Sequence, residues 1–103
     1  MAFLGLVDTT EVEAFASTLA QDLGRRFPPA SEQRVDGAAR RQVADILDDL
    51  AVSAARFRDA KQLGLYKKAK LGNAFRWALK DLGYSDAFVE NATNVIVTRV
   101  AMK

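Results

Sequence analysis

The sequence predicts an all-α fold, a small four-helix bundle or an irregular helical domain. Three observations carry that prediction. Apolar residues recur at three- and four-residue steps through four separate segments, the period of a helix with one buried face. Capping residues or glycine and proline stops bound those segments. The chain is 103 residues long with half of them hydrophobic, which suits one compact helical domain spanning 1–103.

The first helix is expected over about 11–27. Thr10 followed by Glu13 has the spacing of a capping box, and Val12, Phe15, Ala16, Leu19, Leu23 and Phe27 form one apolar stripe. Pro28-Pro29 stops it, because proline lacks the next amide donor and pushes the preceding residue out of the helical region. Ahead of it, residues 1–8 begin with the apolar run Met1 to Val7, read as a strap that packs on the domain.

After a polar linker from Ala30 to Val35, Asp36 caps a second helix over about 37–63, with Gly64 as its stop. Ala39, Val43, Ile46, Leu47, Leu50, Ala54 and Phe57 share one arc, and the length of this helix suggests the spine of the bundle. The third helix spans 65–82 and Gly83 closes it. Its core arc is Leu71, Phe75, Ala78, Leu79 and Leu82, while Gly72-Asn73 offers a break that the unbroken reading must override. Ser85 caps a fourth helix over 86–101, with Phe88, Val89, Ala92, Val95 and Ile96 facing inward. Its run Val95-Ile96-Val97-Thr98 is β-branched, but no other segment offers a strand partner, so helix is preferred.

Composition narrows function. The chain has no cysteine and no histidine, so disulfides, thiolate chemistry, and the commonest general base and zinc ligand are excluded. No phosphate-binding glycine loop stands out, and no serine or threonine has a base to activate it. A non-catalytic protein without cofactor, metal or small-molecule substrate is therefore expected. The apolar start is too short to span a membrane and lacks the preceding basic residues of a signal peptide. A cytoplasmic location follows as the default.

Net charge is only +2, but the charges are segregated. Residues 1–55 carry nine carboxylates against five arginines, whereas 56–80 carry eight basic side chains against Asp59 alone. Two local patterns invite a function and lose to a plainer reading. Asp45, Asp48 and Asp49 have the spacing to hold a hard cation, yet nothing nearby supplies further ligands, and a solvated helix face explains them. Leu50-Ala51-Val52-Ser53 followed by Phe57 and Arg58 resembles the turn of a helix-turn-helix motif. The apolar stripe, however, keeps its phase through the supposed turn.

The third helix carries the strongest candidate site. At 100° per residue Tyr66, Lys70, Asn73 and Trp77 align on a face away from the core arc, with Arg76 and Lys80 flanking them and Lys67 nearby. Trp77 is the one tryptophan of the chain. Aromatic rings among cations serve a protein interface or a nucleic-acid surface, and packing within the bundle is the competing explanation. The expectation is a macromolecular interaction protein binding a protein partner through this face, with a homodimer as one form. Nucleic-acid binding through 56–80 is the alternative.

Overall fold

The computed structural model describes residues 8–102, and four α-helices account for most of them: α1 (Thr10–Arg26), α2 (Gly37–Lys61), α3 (Leu65–Leu82) and α4 (Asp86–Ala101). A single 3-10 turn, Pro29–Gln33, lies between α1 and α2. Residues 1–7 of the expected strap, and Lys103, lie outside the described residues.

Each boundary has a local cause. Thr9, not Thr10, occupies the N-cap position of α1, because the Asp8 carboxylate accepts the Thr10 amide at 2.9 Å. The Thr9 hydroxyl donates to Glu13 at 2.7 Å. Pro28 ends the helix one residue earlier than expected, leaving Phe27 extended at φ −149°. Asp36 caps α2 as read, accepting the Ala39 amide at 2.7 Å. That bond holds the Asp36 carboxyl below the usual range.

The end of α2 corrects the sequence reading. Gln62 itself takes the left-handed conformation at φ 51°, so the helix stops at Lys61, and Leu63 turns back into the core. Gly64 is instead the extended N-cap of α3. α2 is uninterrupted through Leu50–Ser53, which excludes the helix-turn-helix turn there.

α3 runs unbroken through Gly72-Asn73, and Gly83 closes it at φ 104°, a conformation that glycine adopts without strain. Gly72 serves packing. A β-carbon there would lie 2.6 Å from Cγ2 of Val97 on α4, too close to be accommodated without movement. Glycine therefore sets how closely α3 and α4 approach. Gly72→Ala is expected to lower stability by about 1–2 kcal/mol, the overpacking cost exceeding the gain in helix propensity. In a Val97→Ala background the same substitution should become stabilising, and urea midpoints of the four variants test this.

Ser85 caps α4 through the Phe88 amide, and Glu32 from the 3-10 turn accepts both the Ser85 amide and its hydroxyl. The turn is thus fastened to the start of α4. The β-branched run Val95–Thr98 is helical, because its inward members Val95 and Ile96 find apolar partners in the bundle.

α1 packs chiefly on α3, α3 on α4, and α4 on α2, with a lesser α1–α2 contact. The pairs Glu11–Lys61, Phe15–Phe57 and Arg26–Asp49 show α1 and α2 running antiparallel. Glu13–Lys70 and the Gly24–Leu82 approach place α1 and α3 parallel. Phe75, Leu71 and Leu79 of α3 are wholly buried beside Leu23, Val89 and Ile96. The spine is therefore α3 rather than the longer α2. Leu82, expected in the core, is 41% exposed, packing at its tip against Gly24 of α1.

Candidate functional site

The outer face of α3 is a strip of exposed rings flanked by ion pairs. Trp77 is 56% exposed and Tyr66 62% exposed, with Asn73 exposed between them. The rings are eleven positions apart, about 16 Å along the axis. They share a face because the buried residues Leu71, Phe75 and Leu79 commit the opposite side of α3 to the core.

The flanking cations turn sideways. Lys70 reaches Glu13 on α1 at 3.6 Å. Arg76 lies 3.0 Å from Glu90 on α4, and Lys80 lies 3.7 Å from Asp86. The Lys80 ammonium also sits 5.2 Å from the centre of the Trp77 ring, within range of a cation–π contact. Lys67 stands near the exposed Asp8, whose carboxyl is held below the usual range chiefly by the Thr10 amide. Tyr66, Asn73 and Trp77 are the uncovered centre, Lys70 and Lys80 border them, and Lys67 and Arg76 stand on opposite flanks of α3. Leu65, at the start of α3, is 85% exposed but lies about 100° round the helix from Tyr66.

Other candidates resolve differently. Arg58, one of the basic side chains of the segment 56–80, is 8% exposed and donates to the Arg99 and Val100 carbonyls at the end of α4. Asp48 pairs with Arg99 and Asp49 with Arg26. The described residues contain no cluster of three metal-ligating side chains, and none of their helices is long and apolar enough to cross a membrane.

A second surface was missed in the sequence. A groove of about 520 Å³ lies between α2 and α4, floored by Phe27, Val43, Leu47, Phe88 and Val95. Periodicity assigned these residues to the core, yet Val43, Phe88 and Val95 are only partly buried. The helical pattern identifies an inward face without showing whether the neighbouring helix closes over it.

A scan of protein-family models, a search of curated proteins and a search of solved structures each find no match to this chain.

Proposed function

We propose that this chain is a non-catalytic interaction protein that binds a protein partner through Tyr66, Asn73 and Trp77 on α3. The observation that carries the reading is the exposure of two large rings, including the one tryptophan, on a single helix face. Leaving such rings in water forgoes about 1.5–3 kcal/mol of burial for each large side chain. A partner recovers that energy. The arrangement, rings at the centre with charged pairs around them, matches the anatomy of protein interfaces, where aromatic anchors dominate the energy and the polar rim excludes water.

The charge pattern favours protein over nucleic acid. Of the eight basic side chains in 56–80, Lys61, Lys70, Arg76 and Lys80 are paired to carboxylates and Arg58 is buried. A phosphate backbone must displace those pairs before counterion release drives binding.

The test is affinity capture from extracts of the native organism with wild type and with the pair Tyr66→Ala and Trp77→Ala. Specific protein partners should be lost at least about tenfold with the double variant, while its melting temperature stays within a few degrees. Identical capture profiles, or binding only to nucleic acid with steep salt dependence, overturn the reading. A large fall in melting temperature would assign the rings to structure instead.

A further inference from the structure

The groove between α2 and α4 lies on a different side of the bundle from the α3 strip and carries an independent inference. Its floor is apolar, with two phenylalanines at one end, and its volume of about 520 Å³ falls in the range of small-molecule sites. The charges on its rim are unequal in a way that selects a ligand. Glu32 spends both carboxylate oxygens on Ser85, at 2.8 Å to the amide and 2.6 Å to the hydroxyl. Asp48 is held by Arg99 at 3.3 Å. Arg34 leans on Asp36 at 3.9 Å and donates to Gln42.

Arg40 differs from all of these. Among the described residues its guanidinium has no carboxylate partner and donates to the Val35 carbonyl at 3.2 Å. Glu32 and Arg40 are thus the rim charges without an ion-pair partner among the described residues; both Glu32 oxygens already accept from Ser85, whereas most of the Arg40 guanidinium donors stay open to a ligand. Arg40 also stands at one end of the groove, and Leu47, seven residues further along α2, marks a distance of about 10 Å down the floor. A cation at the head of an apolar trough of that length is complementary to an anion carrying a linear apolar chain.

We propose that this groove binds a single-chain amphiphile with an anionic head, its alkyl chain lying on Val43, Leu47, Phe88 and Val95 and its head on Arg40. A charge-assisted bond fixes the head, and the chain exchanges water for the groove floor. Binding here leaves Tyr66 and Trp77 free, so the groove and the α3 strip stand or fall separately.

Titration of the ¹⁵N-labelled protein with decanoate below its micelle concentration tests the proposal, with decyltrimethylammonium as the charge control. Decanoate should perturb the amides of Val43, Ala44, Phe88 and Val95 saturably, and the cationic amphiphile should bind at least about tenfold more weakly. Arg40→Glu should weaken decanoate by a similar factor, Arg40→Lys should retain most of it, and Ala44→Trp, which fills the exposed side of the groove, should abolish it. Equal binding of both amphiphiles, perturbations centred on α3, or no saturable change would overturn the proposal. So would groove signals that shift with protein concentration alone, since a second copy is then the occupant. Decanoate binding by the Tyr66→Ala, Trp77→Ala protein should be unchanged.

Discussion

Replacing Arg58 with methionine should lower the unfolding free energy by about 2–4 kcal/mol, a large part of the stability of a domain this size. Among the described residues Arg58 is the one charged side chain of the core, and its guanidinium closes the far end of α4. One Nη donates to the Arg99 carbonyl at 2.9 Å and to the Val100 carbonyl at 3.2 Å, while Nε and the other Nη meet Asp59. The last carbonyls of a helix have no partner within the helix, and a cation at that end also meets the negative pole of the helix dipole. Methionine keeps the apolar stem but leaves the Val100 carbonyl facing a dry side chain and the Arg99 carbonyl with the Met102 amide alone, at 3.3 Å. An unsatisfied buried group costs roughly 1–3 kcal/mol, and the cation at the helix end is lost as well. Urea unfolding measures the loss, which corresponds to a fall in melting temperature of about 10–20 °C. Hydrogen exchange should show α4 opening first from its C-terminal end. Arg58→Lys should rescue little, since an ammonium cannot span both carbonyls and Asp59 in the same plane. A variant with unchanged stability would mean that water serves those carbonyls equally well.

Arg58 also marks where reading the sequence fails. Its neighbours place it in a basic run, and although its phase, four residues after Ala54, sets it on the buried side of α2 and Arg56 on the outer side, nothing local supplies the partner a buried cation needs. Its burial depends on α4 ending beside it, forty-one residues away from Arg99. The four helices were legible because their causes are local: Asp36 and Ser85 as caps, Pro28 and Gly83 as stops, and an apolar stripe on each helix. The end of α2 was not, because Gln62 adopts a left-handed conformation usually left to glycine. The outward aim of Trp77 was legible, since the phase of Leu71, Phe75 and Leu79 sets the opposite face. The direction in which Lys70, Arg76 and Lys80 turn was not, for Glu13, Glu90 and Asp86 belong to other elements.

The same distinction bears on which contacts hold the bundle together. Most of its ion pairs lie at the surface, where each contributes between nothing and about 1 kcal/mol. Those around Trp77 are better understood as setting the polarity of the α3 strip than as fastening the helices. The cross-links with structural weight are the ones that bury a polar atom against backbone. Arg58 does this at the end of α4. Tyr84 does it at the other pole, where the connection from α3 to α4 meets the end of α1.

Above pH 10 the protein should lose about 2–3 kcal/mol of stability through Tyr84 alone, and Tyr84→Phe should remove that part of the alkaline loss. The ring is 5% exposed, stacks on Phe88 with centroids 4.6 Å apart, and its hydroxyl donates to the Phe27 carbonyl. Burial, with the nearby Glu32 carboxylate adding to it, pushes the phenol up to about 12. An unfolded chain releases the same proton near pH 10. The folded state thus holds the proton more tightly than the unfolded one, so the contribution is complete below pH 10 and drains as pH rises towards 12. At neutral pH Tyr84→Phe loses the hydrogen bond and should cost about 1–2 kcal/mol, because the Phe27 carbonyl is left buried without its donor. Unfolding free energies of both proteins between pH 8 and pH 12 should therefore converge and then cross, since the wild type starts about 1–2 kcal/mol above the variant and loses about 2–3 kcal/mol. Parallel curves across that interval would show that the phenol ionises in the folded protein as readily as in the unfolded chain, and that Phe27 and Tyr84 are not held together as described.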